Sequence, residues 1–271
     1  MRPMKVAALQ MVSGPDVAAN LAAARRLLAD AAAQGARLAA LPEYFCLMGQ
    51  HDGDKLALAE AEGSGPIQSM LATAARELGL WVLGGTLPIK ATTADRVRNA
   101  TLVYAPTGER VARYDKIHLF AFDNGRESYD EGRVLEAGCE PVRFVAEGLQ
   151  VGLSVCYDLR FPELFRTYAG CDLLAVPAAF TYTTGEKHWE LLLRARAVEN
   201  QCYVIAPAQG GTHPNGRRTW GHSMIVDPWG EVLAVLPEGE GVVTADVDPA
   251  RIAQVRQQLP ALAHRKLRAA S

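Results

Sequence analysis

The chain has 271 residues, 49% of them hydrophobic and 21% charged, with a formal net charge of −2. That composition excludes a disordered chain, and its scattered Lys and Arg form no basic stripe that would suit a nucleic acid or an anionic membrane, so a small molecule is the expected partner. No apolar run reaches the roughly 20 residues that span a bilayer, and the run at residues 6–12, interrupted by Gln10, is too short for the core of a signal peptide; the expected location is cytoplasmic.

Alternating short apolar segments and amphipathic segments then predict a β-α order. Residues 6–11 read as a strand, Asp16 or Asn20 as the cap of an Ala- and Leu-rich helix ending near Gly35, and residues 37–41 as the next strand. A second helix over 66–78, opened by Pro66 and closed by Gly79, feeds a buried strand over 81–87. Residues 100–104 and 110–114 form a predicted hairpin around Pro106 and Gly108, and 223–226 with 232–236 form another around Pro228 and Gly230, so the chain reads as two related halves. Between them come a strand over 149–155, a helix from about Pro162, a strand over 173–176, a long helix from Lys187 to about Asn200 and a strand over 202–206. Strands this continuously apolar need cover on both faces, which predicts an α/β fold with two mixed sheets packed face to face under helices, a four-layer αββα sandwich. No linker divides the chain, so a single domain over 1–271 is expected, with a catalytic core at about residues 4–260 and a solvated basic end from Arg265.

Cys46, Cys139, Cys156, Cys171 and Cys202 are odd in number and form no CxxC pair, which fits a reducing compartment. The six histidines show no HxxxH or HExxH spacing, so no metal site is expected. Cys156 closes a buried strand and precedes a helix with Pro162 in its first turn. A helix N-terminus and a cation beside it would favour the thiolate, as a nucleophile needs, although a buried free cysteine is as often plain core. Glu43 follows a strand in Leu-Pro-Glu-Tyr-Phe, where desolvation would lift its carboxyl toward neutrality, or where it simply opens a helix. Lys116 stands just past the first hairpin, placed to steady an oxyanion or to be a solvated turn residue. The three together suggest convergence on one end of the sheets.

Leu-Pro-Glu43, Asp-Lys116-Ile-His-Leu-Phe and Val-Cys156-Tyr-Asp-Leu-Arg-Phe-Pro-Glu-Leu, in that order, resemble the Glu-Lys-Cys triad of the nitrilase superfamily of carbon–nitrogen hydrolases. The resemblance runs from the first strand to about Arg265. Residues 184–190, 194–197 and 221–230 are similar to the Nit amidase branch, which includes amidases of deaminated glutathione and omega-amidases. It implies an αββα fold without metal or organic cofactor, often assembled as a homodimer. It further implies a second active-site glutamate, for which Glu131, ahead of Gly138, fits better than Glu127. Residue by residue it puts Arg160 on the substrate's carboxylate or keto-acid end with Phe180 and Thr184 beside it, an ion pair of Arg160 with Asp158 or Glu163 being the competing reading; the expected mechanism adds the Tyr157 backbone N–H beside Lys116 on the oxyanion. Trp189 and Glu190 read as helix-packing and network residues.

The implied reaction is hydrolysis of a small linear amide through a Cys156 thioester, with deaminated glutathione, cleaved to 2-oxoglutarate and cysteinylglycine, as the expected substrate. The alternatives are an omega-amidase acting on alpha-ketoglutaramate or ketosuccinamate, a nitrilase, a papain-like enzyme using His118, His188 or His222 as base, and a binding protein that keeps the fold without the activity. Arg217 or Arg218 would read a dipeptide's carboxylate, or would be solvated loop residues.

Overall fold

The computed structural model describes residues 2–267. The first sheet runs in the order Gly241–Val247, Met4–Gln10, Leu38–Ala40, Trp81–Leu83 and Val97–Tyr104, with Leu87–Lys90 and Arg110–Asp115 both paired to Val97–Tyr104. The second runs Arg143–Ala146, Leu149–Leu153, Leu173–Ala175, Tyr203–Ala206, Ser223–Val226 and Val232–Leu236. Each has a parallel core, Met4–Gln10 with Leu38–Ala40 and Trp81–Leu83 in one, Leu149–Leu153 with Leu173–Ala175 and Tyr203–Ala206 in the other. Antiparallel strands flank each core, so the two halves match in strand direction. They differ in the source of the outer strand. Arg143–Ala146 immediately precedes its neighbour, whereas Gly241–Val247 returns from the far end of the chain to close the first sheet.

The layers follow from the period of two along each strand. Val6, Ala8, Leu38 and Ala40 face the apolar cluster that contains Val151, Leu153 and Leu173 of the second sheet. Their neighbours Ala7, Leu9, Ala39 and Leu41 instead face Leu27 and Leu28 of the helix Val17–Ala33 and Leu71 of the helix Pro66–Leu78. Burial of each such leucine contributes about 2 kcal/mol, and a slip of one residue would exchange the two faces, so burial fixes the register. On the other side, Pro162–Thr167 and Tyr182–Asn200 bring Phe165, Trp189 and Leu193 onto the second sheet. The expected αββα sandwich is thus the observed one. Among the described residues no helix is long and apolar enough to cross a membrane.

The departures from expectation have identifiable causes. Asp16 is the cap of the first helix, accepting from Ala19 N–H at 3.1 Å, while Asn20 is buried and donates to the carbonyl oxygens of Gly14 and Cys46 at 2.8 and 3.0 Å. The strand expected over 81–87 is two strands, split at Gly84 and Gly85. Gly85 is left-handed (φ 51°), and a Cβ there would run into the Pro42 carbonyl oxygen, so the break makes room for the loop that carries Glu43. The long helix begins at Tyr182, five residues before Lys187, because Thr181 caps it through Thr184 N–H. Sequence reading missed the strands Arg143–Ala146 and Gly241–Val247 and the hairpins Ala121–Asp123 with Ser128–Asp130 and Gly210–Thr212 with Arg218–Trp220. The two turns foreseen as related do match, with Ala105 N–H to Glu109 and Asp227 N–H to Glu231 both at 2.9 Å and a register shift in each hairpin. Of the basic end, residues 265–267 are described and the rest lies outside the described residues.

Candidate active site

Glu43, Lys116 and Cys156 come from three separate strand ends and meet at the rim of the sandwich. Lys116 follows Arg110–Asp115, with its N–H on the Asn99 carbonyl at 3.0 Å and its carbonyl held by Gly138 N–H at 2.8 Å. Its side chain is fully buried, and Nζ donates to Glu43 Oε1 at 2.9 Å and to Glu131 Oε1 and Oε2 at 2.9 and 2.7 Å. Glu43, also buried, further accepts Asn99 Nδ2 at 2.9 Å and Ala179 N–H at 3.0 Å. Both carboxylate oxygens are therefore fixed, one by a side-chain cation and amide and the other by backbone.

Of the two glutamates weighed, Glu131 is the one that reaches Lys116, whereas Glu127 accepts Thr183 Oγ1 at 2.9 Å. A tight turn after the hairpin of Ala121–Asp123 and Ser128–Asp130 presents Glu131, which accepts Phe120 N–H and the Tyr44 hydroxyl, both at 2.7 Å. Tyr44 and Asn99 are thus site residues that sequence reading did not find, since neither stands in a pattern apart from its partner.

Cys156 is left-handed (φ 50°), a conformation that costs an ordinary residue about 1–3 kcal/mol and turns the chain sharply out of the strand Leu149–Leu153. Its N–H goes to Pro177 O at 2.9 Å and that of Asp158 to Val155 O at 3.0 Å, while the Tyr157 N–H between them donates to no group among the described residues. Asp158, fully buried, ties this turn to the Lys116 segment. It accepts Val155 N–H at 2.8 Å, the Tyr114 hydroxyl at 2.6 Å, His118 N–H at 3.0 Å and His118 Nδ1 at 2.7 Å. The His118 ring stacks on Phe161 at 3.7 Å, so it is committed to this support.

Ionisation at the site departs from the sequence expectation at the sulfur. Burial and the Glu43 carboxylate push the Cys156 thiol well up, outweighing Lys116, so the resting group is the thiol rather than the thiolate. The helix that follows starts only at Pro162, beyond a tight turn over Cys156–Arg160, and does not offset the loss of water. Burial likewise lifts the Glu43 carboxyl, with Lys116 partly opposing. For Lys116 burial favours the neutral amine, but Glu131 and Glu43 prevail and hold it as the ammonium. A desolvated carboxylate beside a protonated thiol is a base with a proton to take, and the adjacent ammonium can receive negative charge.

Two cavities share Cys156, Phe120, Ala179 and Thr181. The smaller, about 220 Å³, is lined by the remaining expected binding residues, Tyr157, Arg160, Phe180 and Thr184. Arg160 lies over the rings of Tyr157 and Phe180 at 5.8 and 5.3 Å and donates to His188 Nδ1 at 3.2 Å. Among the described residues it forms no ion pair, with Asp158 or Glu163 or otherwise, and so faces the cavity without a carboxylate. The larger, about 650 Å³, holds Glu43, Glu131, Tyr44, Lys55, Arg217 and Arg218. No histidine lines either cavity, which leaves a Cys–His pair without geometry. Trp189 donates its indole N–H to His222 O at 2.9 Å and Glu190 pairs with Arg194, packing and network roles as expected.

The carbon-nitrogen hydrolase family model matches residues 5–257 of the chain. The chain belongs to the carbon-nitrogen hydrolase family. This hydrolase is 43% identical over 271 residues to the deaminated glutathione amidase of Synechocystis, covering 98% of this chain and 99% of that protein. It is 38% identical over 264 residues to the human omega-amidase NIT2, covering 96% and 94%. Among solved structures it superimposes on the C. elegans NitFhit protein with a TM-score of 0.92 at 35% identity, covering 98% of the hydrolase and 66% of that longer chain.

Proposed function

We propose that this hydrolase cleaves a small linear amide through a Cys156 thioester, with deaminated glutathione as substrate and 2-oxoglutarate and cysteinylglycine as products. The observation that carries the reading is the Lys116 ammonium held between Glu43 and Glu131 beside the Cys156 thiol. Glu43 removes the thiol proton as sulfur attacks the amide carbon, and the oxyanion forms against Lys116 and the Tyr157 N–H, each donor contributing about 3 kcal/mol. Protonated Glu43 then gives its proton to the departing amine, and the C–N bond breaks. Water enters, loses a proton to Glu43 and attacks the thioester, and that proton returns to sulfur as the acid leaves. Arg160, unpaired in the smaller cavity, holds the keto-acid end of the acyl group.

An omega-amidase acting on alpha-ketoglutaramate or ketosuccinamate is the second reading, favoured by the 38% identity to the human omega-amidase. It shares the Arg160 end and differs in releasing ammonia. Incubating purified protein with deaminated glutathione, alpha-ketoglutaramate and a nitrile panel, with product identification, tests the assignment. Release of cysteinylglycine with the highest kcat/KM is expected, and turnover of nitriles alone would overturn it.

The same reading makes the chain a single cytoplasmic domain with its catalytic core at about residues 4–260, with no nucleic-acid or membrane partner. It also makes the protein a homodimer. Leu191 and Val198 on the long helix are 66% and 47% exposed, and the turn carrying the 49% exposed Trp229 lies against Val198, an apolar face suited to a second copy. Sedimentation at micromolar concentration checks this, a monomer being the contrary result.

A further inference from the structure

The larger cavity is charged in a way the reaction at sulfur does not use. Ammonia would carry no charge to meet, yet this side of Cys156 is lined by Lys55, Arg217 and Arg218. At its wall Lys55 is only 12% exposed in its side chain, lying over the Tyr44 ring at 4.7 Å. Its ammonium makes no hydrogen bond among the described residues; the carboxylate oxygen paired with it, Asp52 Oδ1, is 3.7 Å away. Asp52 is moreover shared with Arg217, whose Nη2 approaches the same oxygen to 3.1 Å. The remaining acids of the cavity are engaged elsewhere, Glu43 and Glu131 by Lys116 and Asp130 by Arg133. Arg218 pairs with Glu238 at 2.9 Å. One carboxylate thus serves Lys55 and Arg217 together, and the lysine is left with unspent donors facing the cavity. Loss of water pulls its ammonium down from the ordinary lysine range despite Asp52, as expected of a buried cation short of anionic partners.

We propose that Lys55, assisted by Arg217, is the subsite for a carboxylate on the departing amine, so that this enzyme selects amides whose leaving group is an anionic amino acid or short peptide. The inference rests on the proposed amidase reaction and deepens it. Arg160 and Lys55 line different cavities, and Cys156 lines both. A substrate with an acid at each end is thereby held at both, and its scissile amide lies between them at Cys156. Of the two arginines singled out from sequence, Arg217 joins the subsite through Asp52. Arg218, stacked on Tyr182 at 3.7 Å and paired outward, braces the loop.

The test compares kcat/KM for deaminated glutathione, whose leaving group carries a carboxylate, with that for alpha-ketoglutaramate, which releases ammonia. In Lys55→Met the ratio of the two is expected to fall about tenfold or more, the loss of a charge-assisted contact, and Lys55→Arg should restore most of it. An unchanged ratio overturns the proposal, whether both rates persist or both fall together; the latter means Lys55 serves only to seat Tyr44 and Glu131. If the unaltered enzyme cleaves neither amide, the proposed function fails. The subsite is then decided by titrating deaminated glutathione into Cys156→Ala protein with and without Lys55→Met. Binding about tenfold weaker supports the subsite and equal binding overturns it.

Discussion

Asp158→Ala tests whether a single buried carboxylate holds the nucleophile turn and the lysine segment in register. The side chain is fully buried and accepts from Val155 N–H, the Tyr114 hydroxyl, the His118 backbone N–H and His118 Nδ1. Removing it strands the Val155 and Tyr114 donors, both in fully buried residues, while His118, whose side chain is 28% exposed, can turn to water. A stranded buried donor costs about 1–3 kcal/mol, so Asp158→Ala should lose about 4 kcal/mol, within the stability of an ordinary domain. Tyr114→Phe alone should cost about 2 kcal/mol, since it removes one charge-assisted bond and leaves the carboxylate three other donors. Adding Tyr114→Phe to Asp158→Ala should cost almost nothing more, because it deletes a donor that is already orphaned. Urea denaturation of the single and double variants measures this cycle. Because Val155 precedes Cys156 and His118 lies two residues beyond Lys116, kcat of the folded variant should also drop at least about tenfold. Additive stability losses, or a loss under about 1 kcal/mol for Asp158→Ala, would refute the reasoning.

Two further outcomes follow from protonation. Glu43 must be ionised to accept the thiol proton and its carboxyl is lifted by burial, so kcat/KM should fall tenfold per pH unit on an acid limb centred above the ordinary glutamate value of about 4.3, with no basic limb from the raised Lys116 ammonium below about pH 10. A pH profile with its acid midpoint at or below the ordinary value would contradict this. Burial holds the His213 imidazolium below its usual range; the ring donates from Nδ1 to Ser13 O at 2.8 Å and accepts the Thr219 hydroxyl at Nε2, also at 2.8 Å. Its contribution to stability is therefore present above about pH 6.5 and lost as pH falls through the lowered value, by up to about 1.4 kcal/mol per unit. Urea melts at pH 7.5 and 5.5 should show this loss shrinking in His213→Gln, and an equal loss in both proteins would count against it.

Where the sequence carried its own punctuation, it predicted structure well. Asp16, Pro66 and Gly79 bound their helices, and Pro162 opens its own, because caps and first-turn prolines act on backbone within a few residues. Gly241–Val247 was not legible because its half-exposed residues gain their strand character from pairing with Met4–Gln10 across most of the chain. The split at Gly84 and Gly85 answers to Pro42, more than forty residues earlier, and no local pattern announces it. The site divides likewise. Glu43, Lys116 and Cys156 stand at strand ends in readable segments, whereas Tyr44, Asn99 and Lys55 matter only through partners that folding supplies. The protonated state of Cys156 was misread because desolvation is set by the whole sandwich rather than by the neighbouring helix.

The most direct test of the mechanism is amide turnover by Cys156→Ala protein whose circular dichroism and urea midpoint match the unaltered enzyme. Loss of kcat by at least about a thousandfold is predicted, because neither Glu43 nor Lys116 can form the thioester. Hydrolysis within tenfold of the unaltered enzyme would contradict a covalent route through that sulfur.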